Sequence, residues 1–212
     1  MKTPSLYLIT NDDELTVLCE KLDKAFATGV VEVVQIRRKK VSQAQGRAGV
    51  LHESKQIITL AERYGVTVVM NDDMQLAHEL GVGVHLGQED GNVASARQLL
   101  GDNALIGCTC HGSVALVEEA KRQGASYTAL GAIFASSTKP SAQTISLSVL
   151  EQVQHCDIDL CVIGGISAEN VTQLYPYSLR YVAVVGDILQ YPVAEIALRC
   201  QRWQDALAGW MQ

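Results

Sequence analysis

The stretch VTVVMNDDMQLAHELGVGVHLGQED (66–90) decides the fold, because it holds two short apolar runs that each end in acidic residues. The run 66–70 is followed by Asn-Asp-Asp, and the run 83–87 is followed by Gln-Glu-Asp. Apolar runs of about four to eight residues are typical of strands buried on both faces of a parallel sheet. The segment DMQLAHEL between them allows only about two helical turns. The stretch therefore predicts a strand, a short helix and a second strand.

Eight runs of this kind recur along the chain, with helix-length segments between them. They are SLYLIT (5–10), VVEVVQIR (30–37), VTVVMND (66–72), GVHLG (83–87), ALIGCTC (104–110), YTALGAIF (127–134), LCVIGGI (160–166) and YVAVVGDI (181–188). Strands that alternate with helices in this way predict an α/β fold, a single-domain (β/α)8 TIM barrel over residues 1–212. A doubly wound open sheet is the alternative, because a sequence shows the number of strands but not their closure.

The composition describes an ordinary globular protein. Of 212 residues, 48% are hydrophobic and 19% are charged, and the net charge of −6 disfavours nucleic acid or anionic membrane as the main partner. No apolar run approaches the roughly 20 residues that span a bilayer. The opening MKTPSLYLIT does not have the form of a secretion signal. We expect a cytoplasmic protein that binds neither nucleic acid nor membrane, and the sequence leaves a homodimer open.

The six cysteines predict free thiols rather than a metal site. The cluster CTCH (108–111) offers ligand types that suit zinc, but no second pair stands at a suitable distance in the sequence. Free, partly buried thiols also agree with a reducing compartment.

Polar side chains follow the predicted strands at the point where each strand ends. In a parallel barrel the carboxyl ends of the strands meet at one face, and the active site is built there. In chain order these positions hold Gln35, Arg37 and Lys39, then Asn71, Asp72 and Asp73, then 88–90, then Thr109, and then Ser136, Thr138 and Lys139. The last two strands end in GGIS and VVGD, whose small residues leave backbone N–H groups open to a phosphate.

These residue types indicate a phosphate-binding site that uses a metal ion. Arg, Lys, amide and hydroxyl groups bind phosphate oxygens. The acids at 72–73 and 89–90 would repel those oxygens unless a cation stood between, and one or two carboxylates with substrate phosphates are typical Mg²⁺ ligands. Each feature has a structural alternative: QIRRKK as a solvated basic stretch, NDD as a helix cap, and GGI as tight packing. Their joint placement at strand ends favours the functional interpretation.

Five motifs resemble those of the thiamine phosphate synthases, in the same order and at matching intervals. They are QIRRKK (35–40), NDDMQLAHELGVGVHLGQED (71–90), IGCTCH (106–111), ALGAIFASSTKP (129–140) and VIGGIS (162–167). The resemblance covers nearly the whole chain and implies a (β/α)8 barrel. It also implies a Mg²⁺-dependent transferase that joins hydroxymethylpyrimidine pyrophosphate to thiazole phosphate, with thiamine phosphate and pyrophosphate as products.

The resemblance also implies a role for each matching residue. Gln35, Arg37, Lys39 and Asn71 would bind the pyrimidine pyrophosphate, and Asp72 and Asp90 would bind Mg²⁺. Thr109 would face the pyrimidine or its pyrophosphate, Ser136 and Thr138 would bind the thiazole phosphate or nearby groups, and Lys139 would bind the pyrophosphate. Arg37, Lys39 and Lys139 would be the catalytic residues. Gly165, Val185 and Gly186 would form a phosphate cup, here meaning the backbone at these three positions.

The chain departs from the family pattern at a few positions. Arg38 and Lys40 stand where acids are frequent, which predicts a more basic loop. The segment ELGVGVHLG is one residue shorter than the common form, and Gly186 replaces a frequent serine. His111 is compatible with either a catalytic or a structural role, whereas His85 is predicted to be a satisfied core histidine.

Two other functions compete with the synthase. A thiazole tautomerase of the same fold has no reason to keep a full set of pyrophosphate and Mg²⁺ residues. A non-catalytic sensor of thiamine intermediates has no need of metal ligands.

Overall fold

The computed structural model describes residues 3–135 and 143–211, so that Ser136, Thr138 and Lys139 lie outside the described residues. Eight parallel strands form a closed barrel in chain order, and the eighth strand pairs with the first. The strands are β1 (Ser5–Ile9), β2 (Val31–Ile36), β3 (Thr67–Asn71), β4 (Gly83–Leu86), β5 (Ile106–His111), β6 (Tyr127–Leu130), β7 (Asp159–Ile163) and β8 (Tyr181–Val184). The closure confirms the predicted barrel and rules out the open sheet.

Helices connect the strands on the outside of the barrel. They are α1 (Leu15–Phe26), α2 (Lys39–Arg63), α3 (Met74–Leu80), α4 (Val93–Leu100), α5 (Val114–Arg122), α6 (Ser148–Val153), α7 (Gly186–Leu189) and α8 (Ile196–Ala208). The connection between β7 and β8 carries a short 3₁₀ helix, Val171–Leu174, and two further 3₁₀ turns lie at Val193–Glu195 and Gly209–Met211. Within the described residues, no helix is both long and apolar enough to cross a lipid bilayer.

The side chains of each strand alternate between the barrel interior and the layer beneath the helices. The interior positions carry odd numbers, and their buried hydrophobic members are Tyr7, Ile9, Val33, Val69, Tyr127, Ala129, Cys161, Tyr181 and Ala183. The even-numbered strand residues pack against the helices in a second, larger core. Gln35, Asn71 and Thr109 are also odd-numbered strand residues. Their side chains therefore point into the barrel interior near the carboxyl ends of the strands, here called the upper end of the barrel.

A polar side chain and a glycine fix the two ends of α3, which lies beside the upper end of the barrel. The Asp73 carboxylate accepts a hydrogen bond from the Leu76 N–H at 2.8 Å and so begins α3, while Gly81 ends that helix at φ 67°. The seven residues of α3 confirm the predicted two turns. Asp73 therefore has the capping role that was the structural alternative for this acidic stretch.

Candidate active site

Asp72 and Asp90 bring two carboxylates together at the mouth of the barrel. Asp72 follows β3 with φ 66°, a left-handed conformation that aspartate tolerates, and its N–H donates to the His85 carbonyl at 2.8 Å. The side-chain amide of Asn71 donates to Asp72 Oδ2 at 2.5 Å, and Lys39 Nζ lies 3.8 Å from the same oxygen. Burial raises the pKa of Asp72, and the Asp90 carboxylate raises it further.

This acid pair fits a hard divalent cation. Within 3–135 and 143–211 there is no cluster of three or more His, Cys, Asp or Glu side chains that could hold a metal on its own. Two carboxylates that repel each other nevertheless suit Mg²⁺, which takes the rest of its ligands from water and substrate phosphates. A Cβ at Gly87 would lie 2.3 Å from Asp90 Oδ2, so the glycine gives that carboxylate room to fold back toward β4.

In the basic loop between β2 and α2, the charge of Arg38 has a structural role, whereas the charge of Arg37 is available to a ligand. Arg38 is buried, donating from Nε to Glu53 at 2.6 Å and from its two Nη atoms to the carbonyls of Asn11 and Asp13 at 2.6 and 2.7 Å. Its charge is neutralised inside the protein, so the expectation that Arg38 makes this loop more basic toward a ligand is wrong. No described residue forms a hydrogen bond or an ion pair with the Arg37 guanidinium, which leaves it available to a ligand.

Lys39 approaches the acid pair from the start of a helix and not from an extended chain. The strand β2 ends at Ile36 and the helix α2 begins at Lys39, so Lys39 does not continue the extended series of Gln35 and Arg37. The first turn of the helix carries its half-exposed ammonium toward Asp72 instead. A cleft of about 600 Å³ opens here between α2 and α3, and its polar lining includes Lys39, Ser42, Arg47, Asn71, Asp72 and Asp90.

The predicted phosphate cup lies at the ends of β7 and β8. Gly165 has φ 64°, and a Cβ there would lie 2.5 Å from the carbonyl oxygens of Phe134 and Ala135. The side chain of Asn170 donates to the Gly165 carbonyl at 2.8 Å and holds the loop in this shape. Gly165 is thus required for loop packing, whether or not a phosphate binds. Val185 precedes α7, and Gly186 is its first residue.

A charged network beneath this cup was not predicted from the sequence. The Asp187 carboxylate bonds Arg199 at 2.5 Å, the indole Nε1 of Trp203 at 2.8 Å and the N–H of Ala168 at 3.2 Å. Arg199 is buried and also pairs with Glu169. These contacts join the loop after β7 to α7 and α8. Asp187 directly follows Gly186, but nothing in the sequence pairs it with a residue in the last helix.

A chain of hydrogen bonds crosses the barrel interior below the acid pair. Gln35 Nε2 donates a hydrogen bond of 3.0 Å to the Tyr7 hydroxyl. The Tyr7 hydroxyl in turn lies 2.8 Å from the Tyr127 hydroxyl. That hydroxyl lies 3.0 Å from His85 Nδ1, and His85 Nε2 lies 2.9 Å from Thr109 Oγ1. Burial lowers the pKa of His85 to about 4. His85 is a satisfied histidine as predicted, but the sequence did not link it to Thr109.

The remaining sequence candidates lie at the fifth strand. All six cysteines are free thiols, in agreement with the prediction, and Cys108 and Cys110 lie on the outer side of β5. His111 is exposed and has φ 51° after an irregularity in the pairing of β5 with β6. The side-chain amide of Gln88 donates to the Thr109 carbonyl and ties the loop after β4 to this strand.

The sequence model of the thiamine monophosphate synthase family matches residues 6–188, which includes all eight strands except the first residue of β1, and the acid pair. The chain belongs to this family. Thiamine monophosphate synthases are transferases that act on small molecules. The match confirms the resemblance found in the five motifs.

Solved structures resemble the chain over almost its whole length. The thiamine phosphate pyrophosphorylase of Pyrococcus furiosus is 22% identical, with a TM-score of 0.82 and coverage of 99% of this chain and 98% of that one. The corresponding Bacteroides thetaiotaomicron protein is 17% identical, with a TM-score of 0.69 and coverage of 98% and 99%. The 3-keto-L-gulonate-6-phosphate decarboxylase of Vibrio cholerae is 13% identical, with a TM-score of 0.75 and 99% coverage of both chains. These similarities show the barrel fold, which is shared by enzymes of different chemistry.

Proposed function

We propose that the chain is a Mg²⁺-dependent thiamine phosphate synthase, which condenses hydroxymethylpyrimidine pyrophosphate with thiazole phosphate. The observation that carries the proposal is the Asp72–Asp90 pair, set beside Asn71 and Lys39 at the barrel mouth of a member of this family. A bound Mg²⁺ held by Asp72 and Asp90 would neutralise charge on the pyrophosphate. The proposed enzyme is a single catalytic domain in the cytoplasm, with no nucleic-acid partner.

The reaction needs charge stabilisation and alignment rather than a protein nucleophile. The bond between the pyrimidine methylene and the pyrophosphate oxygen breaks, and its electron pair leaves with the pyrophosphate. The ring-stabilised cation is then attacked by the thiazole nitrogen, which forms the new C–N bond. Arg37 and Lys39 would bind the leaving group from the β2 side. Preorganised positive charge of this kind accounts for much of enzymatic rate enhancement.

The other proposed contacts fix the two substrates relative to each other. Gln35, Asn71 and Thr109 would orient the pyrimidine and its pyrophosphate, and the backbone at Gly165, Val185 and Gly186 would receive the thiazole phosphate. The proposed roles of Ser136, Thr138 and Lys139 rest on the sequence motif.

The direct test is turnover of the two phosphorylated substrates by the purified protein, with and without Mg²⁺. The expected result is thiamine phosphate and pyrophosphate in equal amounts, and no product after chelation of the metal. Isomerisation of the thiazole substrate without the pyrimidine would instead identify a tautomerase, and tight binding without turnover would identify a sensor. Size-exclusion chromatography with light scattering on the same sample tests for a homodimer.

A further inference from the structure

We infer that the buried chain Gln35–Tyr7–Tyr127–His85–Thr109 has a fixed direction, which makes Thr109 a hydrogen-bond donor toward the substrate. Tyr7, Tyr127 and His85 are then positioning residues, because they act on the substrate only through Thr109. The substrate that Thr109 meets is taken from the proposed function. The direction of the chain does not depend on that function.

The direction follows from the orientation of the Gln35 amide together with a count of donors and acceptors along the chain. Gln35 presents its amide nitrogen to the Tyr7 hydroxyl, which therefore accepts. The hydrogen of Tyr7 has one acceptor among the described residues, the Tyr127 oxygen. The hydrogen of Tyr127 then goes to His85 Nδ1, and the ring carries its own hydrogen on Nε2.

Thr109 lies at the end of this series. His85 Nε2 donates to Thr109 Oγ1, so the threonine oxygen has accepted a bond from below and its own hydrogen is free to turn upward. If the chain ran in the opposite direction while Gln35 still presented its nitrogen, the Tyr7 oxygen would accept hydrogen bonds from both Gln35 and Tyr127. The hydroxyl hydrogen of Tyr7 would then be buried without an acceptor. An unpaired buried donor is costly, and the arrangement in which every hydrogen has an acceptor is favoured.

A donor at this position selects one kind of ligand atom. Thr109 would bind an acceptor, such as a pyrimidine ring nitrogen or a phosphate oxygen, and would discriminate against an amino group directed at the same place. Rotation of the Gln35 amide by half a turn would reverse every bond in the chain and leave Thr109 with only lone pairs to offer. The two directions differ in one observable property, the nitrogen of His85 that carries the hydrogen.

The tautomer of His85 can be measured by ¹⁵N NMR of the histidine rings in the protein without substrates. The His85 signals among the five histidines are assigned by their loss in His85→Asn. We expect hydrogen on Nε2 and none on Nδ1. Hydrogen on Nδ1 would overturn the inference.

A pair of matched variants tests the role of the chain itself. Tyr127→Phe removes one link, and Tyr181→Phe removes a hydroxyl from the same interior cluster that bonds no described residue. We expect Tyr127→Phe to give a mixture of His85 tautomers and to raise the KM for pyrimidine pyrophosphate roughly two- to tenfold, with no change in the KM for thiazole phosphate. Tyr181→Phe is expected to leave the tautomer unchanged.

Two outcomes separate this inference from the proposed function. If both tyrosine variants give the same His85 spectrum as the unaltered protein, the chain does not set the tautomer and the inference fails. If the spectra behave as expected but no thiamine phosphate forms, the proposed function fails and the direction of the chain stands.

Discussion

The charge of Asp72 destabilises the folded protein as long as no cation is bound beside it. Its pKa is raised by burial and by the neighbouring Asp90, and Lys39 at 3.8 Å offsets that rise only in part. Two like charges held together in this way destabilise the folded chain, and a bound cation would relieve the repulsion. Activity and stability are therefore expected to respond in opposite directions when one of the two charges is removed.

The first prediction tests this opposition with Asp72→Asn. Asparagine keeps the shape and tolerates φ 66°, so the fold is expected to persist with an unchanged or higher melting temperature. Turnover at limiting Mg²⁺ is expected to fall by orders of magnitude, and the same loss is expected for Asp90→Asn. Thiamine phosphate formation and thermal unfolding are the two measurements.

Asp73→Asn is the matched control, because asparagine caps a helix as well as aspartate does. It should keep most of the activity. If Asp72→Asn and Asp90→Asn both turn over like this control, the carboxylates do not hold the metal.

The second prediction concerns Lys39, whose ammonium lies next to the acid pair. Lys39→Ala is expected to weaken the use of pyrimidine pyrophosphate by about 1.5–3 kcal/mol in kcat/KM, since one charged hydrogen bond is lost. The KM for thiazole phosphate should change little. Lys40→Ala, one position along the same exposed turn, is the control and is expected to have a small effect. Equal weakening toward both substrates would contradict the assignment of Lys39 to the pyrophosphate.

At the scale of the elements, the hydrogen bonds of the Arg38 side chain hold the loop before α2 in place. The guanidinium bonds Glu53 in the body of α2 and two carbonyls in the loop after β1. This clamp fixes the start of α2, and with it the direction in which Lys39 points. An arginine in a run of four charged residues (37–40) gave no sign that it would turn inward, because its partners are distant in sequence.

The third prediction is that Arg38→Ala unfolds the protein more easily, by about 3–5 kcal/mol, because it leaves Glu53 buried without its partner. Denaturant unfolding measures the change. The control is Arg63→Ala, which breaks an exposed pair with Asp23 and should cost less than about 1 kcal/mol. Similar costs for the two variants would show that Arg38 is not a structural clamp.

The fourth prediction uses the first turn of α7 to examine the phosphate cup. Gly186→Ser adds one hydroxyl to this turn, and thiazole phosphate binding is expected to be unchanged or tighter by up to about 1.5–3 kcal/mol. Calorimetric titration with thiazole phosphate measures the change. A large loss of affinity would contradict the assignment.

Gly165→Val does not provide this test. A side chain at that position would meet the carbonyl oxygens of Phe134 and Ala135 at once, so the loop would be disturbed with or without a phosphate.

At the scale of the whole molecule, the features predicted from the sequence are those that repeat locally. Eight apolar runs predicted the eight strands, and the polar residues after several of these runs predicted the face of the barrel that carries the candidate site. The features that were missed are side-chain contacts that only the folded chain brings together. Tyr7 and Tyr127 are 120 residues apart, and Asp187 meets Arg199 only because α8 folds back over the end of the barrel. Side-chain pairing of this kind depends on the closure of the barrel, which the periodicity of the sequence does not encode.

The pairing of β8 with β1 also has a consequence for the newly made chain. Ser5 and Arg180, which bond each other at this seam, are separated by 175 residues, a distance that a ribosome covers in roughly 9–35 s. Throughout that interval the outer edge of β1 has no partner, and open strand edges readily join those of other chains. A polypeptide released before residue 181 would keep two such edges, on β1 and β7, and an uncovered apolar interior. Premature termination is therefore expected to yield aggregates rather than a smaller working enzyme.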